Sequence, residues 1–326
     1  MTIWGPTRPP AAMEKMSQLE DLLATDHQNV EASRQLLLGF EPTAIEIAEA
    51  FDEILERAAE EFGPRETKVA AAESLIIEWS SQIGVAPSEA MKLLEFGTLV
   101  GNPGANDNSK QTQEALIEAL ASASRSILLL RLRRDYLFGL TDLLRGRVTM
   151  SAGYLRLQAE SVAILFACQN SPAIGAQWLR TQDDSEGREF YKTHHQTLLG
   201  ILTRFDLRND YDRASASALH SRVGGVARGI VKATMDDPGG RQIGLVYQEH
   251  LEPERYFLAY CHYLRFHEKV ARLIEDLFPE VASSRELSLA ILSYSRQLDS
   301  MWAKMKSVYR ARHPTKEISS TLWLPS

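Results

Sequence analysis

Arg213 and His220 are the two side chains whose chemistry and spacing most suggest a reactive site. On a helix their separation is nearly two turns, so both project from one face about 10 Å apart, with Ser217 between them. An imidazole exchanges protons near neutral pH, and a guanidinium can hold a phosphate or stabilise developing negative charge. The opposite positions carry Ala, Ser and Gly, which allow another helix or a second subunit to approach closely. The alternative is a histidine that is hydrogen-bonded within a helix interface and has no role in a reaction.

Arg156 and Glu160 form a second polar pair, on a segment from Tyr154 to Phe166 whose other positions are largely apolar. Their spacing of four residues places both on one helix face, where they can form an ion pair. Because an unpaired buried charge is strongly unfavourable, such a pair is either partly exposed or kept for a reason. The pair is therefore either an internal salt bridge that fixes the register of the helix or part of a site.

An arginine and a histidine separated by four to six residues, on a helix of an all-helical bundle, resemble the motif of the HEPN superfamily. Arg213 and His220, with six residues between them, fit its widest spacing, and the resemblance covers about residues 109–235. It implies a metal-independent ribonuclease or RNA-binding toxin or defence protein, commonly a dimer with the motif at its interface. In that case His220 would help to remove the proton of the RNA 2′-hydroxyl or to protonate the leaving oxygen. Arg213 would stabilise the negatively charged transition state. Glu160 or Arg156 would orient these two groups, and no metal or cofactor would be required.

The other histidines do not form a pattern of metal ligands. His194 and His195 are adjacent and therefore diverge by about 100° on a helix, so they cannot readily share one ion. His262 and His267 are five residues apart, whereas a spacing of four would place two imidazoles on one face. We expect a helix face with aromatic neighbours at these positions, and neither a metal nor a cofactor in the protein.

Proline and glycine divide the chain into segments with helical rather than alternating periodicity, which predicts an all-α multi-helix bundle. The predicted helices cover residues 42–62, 65–83, 87–97, 109–146, 151–169, 210–235 and 284–312, and further helices begin at Ser185 and Pro253. The longest of them, 109–146, is expected to be the backbone of the main bundle. Its spacing of four and three predicts a core seam formed by Leu116, Leu120, Ala123, Ile127, Leu130 and Leu137.

Charge divides the chain unevenly. Residues 1–105 carry 7 Lys and Arg against 18 Asp and Glu, whereas residues 106–326 carry 29 against 25. We therefore predict an acidic N-terminal helical region over residues 1–105 and a main helical bundle over residues 106–326, divided at a Gly- and Asn-rich loop. Residues 41–61 predict an amphipathic helix whose acidic outer face is either solvated or covers a basic site. The basic stretch 296–316, with Trp302 and Tyr309, is a candidate for that basic site or an ordinary last helix.

Composition excludes several classes of protein. With 326 residues, 44% hydrophobic and 24% charged, the chain predicts a soluble globular protein, and no run is long and apolar enough for a membrane helix. The N terminus lacks the basic and apolar segments of a secretory signal, so we expect a cytoplasmic protein. Cys168 and Cys261 are predicted to be packed thiols. There is no dinucleotide fingerprint, nucleophile elbow or cysteine-rich finger.

The main functional prediction is a soluble all-helical interaction or binding protein whose specific activity no motif defines. The alternative is the HEPN-like, metal-independent ribonuclease or RNA-binding protein that would use Arg213 and His220. The partners considered are RNA, a second copy of the chain and another protein, and no membrane partner is expected.

Overall fold

The computed structural model describes residues 41–94, 107–145, 147–181, 184–217, 253–281 and 283–312. Within these ranges every regular element is a helix and no strand occurs, which confirms the predicted all-α multi-helix bundle. In chain order the helices are α1 (Glu41–Phe62), α2 (Arg65–Ile83), α3 (Pro87–Leu93), α4 (Asp107–Leu144), α5 (Val148–Asn170), α6 (Pro172–Arg180), α7 (Asp184–Arg204), α8 (Arg208–Ser217), α9 (Pro253–Leu277) and α10 (Arg285–Arg312).

The predicted helix ends agree closely with α1, α2 and α10, the predicted start at Pro253 agrees with α9, and α4 is one continuous helix as expected. At the end of α2, Gly84 adopts a left-handed backbone with φ of 72°, a conformation that favours glycine. The short helix α6 was not predicted, because Pro172 was interpreted only as the end of the preceding helix. Proline also suits the first turn of a helix, and α6 begins at this residue. The predicted helix 210–235 begins at Arg208, and its portion beyond Ser217 lies outside the described residues.

Helix α1 is amphipathic, as predicted. Its buried face consists of Ile47, Ala48, Phe51, Ile54, Leu55, Ala58 and Phe62. This face shares one hydrophobic core with α4, α5, α9 and α10. Part of the acidic side is used for packing, because Arg133 of α4 donates hydrogen bonds of 2.7 and 2.9 Å to the two carboxylate oxygens of Asp52. Helix α1 is therefore packed into the main core.

A second, smaller core lies between α2, α3, α6 and the first half of α4. Trp79 of α2 is buried there beside Leu116 and Leu120 of α4. The boundary predicted between the acidic N-terminal region and the main bundle falls at residues 105 and 106, which lie outside the described residues. Among the described helices, α1 thus belongs to the larger core and α2 to the smaller one.

The predicted seam of α4 is right in the first half of the helix and wrong in the second. Leu116, Leu120 and Ala123 are buried, whereas Leu130 and Leu137 are 40% and 41% exposed. The buried side of the second half consists of Leu128, Leu129, Leu132, Asp135, Tyr136, Gly139 and Leu143. A straight α-helix rotates by about 20° per heptad relative to a 3.5-residue repeat. The seam therefore drifts away from the core, which itself changes from the smaller to the larger one along α4.

Candidate functional site

Arg156 and Glu160 form the predicted ion pair on the outer side of α5. The Arg156 Nε atom lies 3.0 Å from Glu160 Oε1. Tyr211 of α8 places its hydroxyl 3.5 Å from the same oxygen, and the Arg156 guanidinium carbon lies 5.9 Å from the centre of the Tyr211 ring. Burial lowers the pKa of Arg156, but the charges of Glu160 and Tyr211 and the hydrogen bonds to both together outweigh it, so the pKa is raised. Glu160 therefore connects α5 to α8.

Tyr191 of α7 also borders Glu160, and Arg131 of α4 borders Tyr191. The pKa of Tyr191 is raised to about 12, chiefly by burial and also by the charge of Glu160. The Arg131 guanidinium, which hydrogen-bonds to the phenol, opposes this rise. Tyr191 therefore keeps its proton at neutral pH. Side chains of α5, α7 and α8 meet at the Glu160 carboxylate, and Arg131 of α4 joins them through Tyr191. We call Arg131, Arg156, Glu160, Tyr191 and Tyr211 the Glu160 cluster.

A fully buried carboxylate, Asp135 of α4, lies beneath two surface arginines. Its Oδ1 atom accepts hydrogen bonds of 3.0 and 2.8 Å from Nε and Nη2 of Arg134. Its Oδ2 atom lies 3.4 Å from Nε of Arg131. Because a buried carboxylate requires opposite charge nearby, Asp135 holds both guanidiniums in place at the surface of α4.

Arg213, the predicted catalytic arginine, lies on α8 within electrostatic reach of His262 on α9. The pKa of His262 is lowered to about 4, chiefly by burial; the carboxylate of Asp210 opposes this shift, and the charges of Arg213 and Lys269 reinforce it. His262 is therefore uncharged at neutral pH. Helix α8 also reaches the predicted Arg156–Glu160 pair through Tyr211, as described above.

His220 lies outside the described residues, so its convergence with Arg213 stays a prediction. The side chain of Ser217, expected between them, is likewise outside the described part of the chain. Of the four predicted site residues, the structure joins Arg156 to Glu160 directly and brings the helix of Arg213 against theirs.

Two other histidines that were considered as ligands, His194 and His267, make hydrogen bonds within the fold. His194 Nε2 lies 2.7 Å from the side-chain oxygen of Gln177. His267 is fully buried among aromatic rings, as predicted, with Nδ1 2.5 Å from the carbonyl oxygen of Tyr263 and Nε2 against the side-chain amide of Gln158. Burial lowers the pKa of His267 to about 3. Among the residues that the structure describes, no group of three or more His, Cys, Asp or Glu side chains could hold a metal ion.

The two cysteines are packed thiols, as predicted. Cys168 and Cys261 are both buried and neither forms a disulfide. Burial raises the pKa of both thiols, that of Cys168 to about 12. Neither thiol therefore has the thiolate character of a reactive cysteine.

An exposed apolar patch lies next to the Glu160 cluster and was missed from the sequence. We call it the α4–α5 patch; it consists of Leu130, Leu137, Phe138, Met150 and Tyr154. The ring of Phe138, which is 50% exposed, lies 5.9 Å from the ring of Tyr154 in an edge-to-face arrangement. Leu130 and Leu137 could have indicated this patch in the sequence, but their spacing predicted a core seam instead.

Comparison of the chain with protein-family models, with curated proteins and with solved structures returned no match. None of the described helices combines the length and apolar character that a bilayer-crossing segment requires. The class that the fold defines is an all-α multi-helix bundle. The Glu160 cluster and the adjoining α4–α5 patch are its candidate functional surface.

Proposed function

We propose that the chain is a helical binding protein that engages a partner through the α4–α5 patch and the neighbouring Glu160 cluster. The observation that carries this proposal is the exposure of Leu130, Leu137, Phe138 and Met150 on two adjoining helices. Single exposed apolar side chains are ordinary, whereas several on adjoining helices indicate an interaction site.

The residue types of this surface support the same function. Aromatic residues, methionine and arginine are enriched in protein interfaces, and tyrosine and arginine often dominate the binding energy. Phe138, Met150 and Tyr154 supply the apolar centre, and Arg134, on the same face of α4 as Leu137 and Phe138, supplies part of the polar margin. An apolar centre with a polar margin is the usual anatomy of an interface.

The arginines at this surface are held in place before any partner binds. Asp135 holds Arg131 and Arg134, and Glu160 holds Arg156. A fixed guanidinium loses less conformational entropy on binding than a freely rotating one. The surface is therefore prepared for binding with little rearrangement.

Site-specific crosslinking in cells that naturally express the chain tests the proposal. A photoreactive residue replaces Phe138 in one variant and Ile77 of α2 in a control, because both side chains are at least half exposed. We expect a discrete protein adduct from position 138 that is absent from position 77. Equal labelling from the two positions, or none from position 138, would rule out this surface as the binding site.

A metal-independent ribonuclease is a second proposal, which the HEPN resemblance of Arg213 and His220 motivates. It is supported by Tyr211, which connects the helix of Arg213 to Glu160. If it is correct, His220→Ala should reduce RNA cleavage in the presence of a chelator by about 100-fold or more. Equal RNA cleavage by the native chain and by His220→Ala, with unchanged thermal unfolding, would contradict a catalytic role of His220.

A further inference from the structure

Four arginines lie within three residues of members of the α4–α5 patch along the chain, and each has a carboxylate partner. Arg131 and Arg134 pair with Asp135, Arg147 pairs with Asp142, and Arg156 pairs with Glu160. The exposed side-chain fractions are 25% for Arg131, 58% for Arg134, 46% for Arg147 and 27% for Arg156, against 0% for Asp135, 14% for Asp142 and 11% for Glu160. The acids lie beneath the arginines, so an approaching partner meets mainly guanidinium groups.

We infer that the partner of this surface is an acidic protein segment that also carries apolar side chains. The inference rests on the proposed binding function and adds the chemical class of the partner. Carboxylates of such a segment would meet the exposed guanidiniums, and its apolar side chains would cover the α4–α5 patch.

The spacing of charge and apolar groups supports this class of partner. On α4, Arg134 precedes Leu137 by three residues and Phe138 by four, so the three side chains share one helix face. Arg147 is the N-cap residue of α5 and lies three residues before Met150, at the start of that helix. Guanidinium and apolar groups thus alternate, and a helical or extended segment with alternating acidic and apolar side chains is complementary to them.

The geometry of Arg134 favours a carboxylate ligand. Arg134 uses two N–H groups on Asp135 Oδ1, and a guanidinium has five such donors in a rigid plane. A guanidinium that is already oriented by one carboxylate can therefore bind a second one with little loss of freedom.

Two other occupants fit these observations less well. A second copy packed through the same face about a two-fold axis would place arginines against arginines, which like-charge repulsion opposes. A single-stranded nucleic acid would suit the arginines, but its bases stack on aromatic rings. Phe138 and Tyr154 offer aromatic rings, but they pack edge-to-face against each other. Leu130, Leu137 and Met150 are aliphatic, and an acidic protein segment covers them better.

Fluorescence anisotropy with defined probes tests the inference on the full chain. The first probe is a labelled amphipathic helical peptide of about 20 residues with leucines on one face and glutamates elsewhere. The second has glutamine in place of every glutamate, and the third is an oligouridylate of equal length. We expect the glutamate peptide to bind about tenfold or more tightly than either of the others, with affinity that falls as salt is raised.

Matched variants locate the binding. Arg134→Gln removes a charge while keeping a donor for Asp135, and Leu137→Ser removes apolar contact; each should weaken glutamate-peptide binding by about tenfold. Arg65→Gln on α2, whose arginine also pairs with the next residue, and Leu292→Ser on α10 provide the same changes at exposed positions elsewhere and should leave binding unchanged. Circular dichroism and thermal unfolding confirm that each variant is folded.

The remaining outcomes overturn the inference. Equal binding of the glutamate and glutamine peptides would refute acidic chemistry, and tighter binding of the oligouridylate would assign the surface to nucleic acid. Self-association without any probe that Leu137→Ser abolishes would assign it to a second copy. If no probe binds while the crosslink from position 138 persists, the inference of an acidic partner is wrong and the proposed binding function stands.

Discussion

Glu160 of α5 lies 3.5 Å from the hydroxyl of Tyr211 through the same oxygen that accepts the Arg156 Nε hydrogen bond. One carboxylate oxygen therefore both pairs with its own helix and contacts α8. We expect Glu160→Ala to lower the free energy of unfolding by about 1–2 kcal/mol, because it leaves two partly buried groups without their acceptor. Urea denaturation measures this change.

Glu189→Ala is the matched control for that prediction. Glu189 lies on α7, is exposed, and has Lys192 as an ion-pair partner at 3.5 Å. Its loss should change stability by less than about 0.5 kcal/mol. Equal losses for the two variants would show that Glu160 has no special role in joining α5 to α8.

The rotation of the α4 seam predicts opposite results for one substitution at two leucines. Leu132→Ala should cost about 2–5 kcal/mol because Leu132 is fully buried, whereas Leu137→Ala should cost less than about 0.5 kcal/mol. Chemical denaturation of both variants measures the difference. A large loss at Leu137 would mean that this residue is packed in a core.

Burial of His267 predicts that stability falls in mild acid. Its pKa in the folded state, about 3, lies below the ordinary value near 6.5. The unfolded chain therefore binds the proton more readily between these values, and each unit of pH below about 6.5 should cost about 1.4 kcal/mol from this group. Urea denaturation at several pH values measures the slope.

His267→Asn should reduce that slope, and His195→Asn, at an exposed position of α7, is its control. His262, whose pKa is also lowered, adds to the slope of the native chain in the same direction. A pH dependence that is unaltered by His267→Asn would contradict the burial of an uncharged imidazole at this position.

Removal of residues 1–105 should abolish cooperative unfolding of the chain. The truncation deletes α1, whose apolar face is part of the larger core, and α2, which covers the first half of α4. The exposed core should bind a hydrophobic dye, and the near-ultraviolet circular dichroism should be lost. A truncated chain that unfolds as cooperatively as the full one would show that the acidic region is separable.

The helices could be predicted from the sequence because their signals are local. Proline at helix starts, glycine at helix ends and apolar periodicity locate α1, α2, α9 and α10. The Arg156–Glu160 pair follows from a spacing of four on one helix. These features require no knowledge of how the helices pack.

The surroundings of Glu160 could not be predicted, because they depend on tertiary packing. Tyr191 and Tyr211 reach Glu160 from helices that begin 24 or more residues further along the chain, and Arg131 of α4 reaches Tyr191. No sequence spacing encodes such a convergence. The exposed patch was missed for a related reason. A regular spacing of apolar residues along α4 does not show where neighbouring helices stop covering it.

The contact between His267 and Gln158 has a mechanical consequence. If α9 moved along α5 by one turn, the His267 imidazole and the Gln158 amide would separate. The hydrogen bond between them would then be lost inside the buried core. The two helices are therefore locked in a single alignment, and shear between them is suppressed. We therefore expect the outer side of α5 to keep its shape when the proposed partner binds.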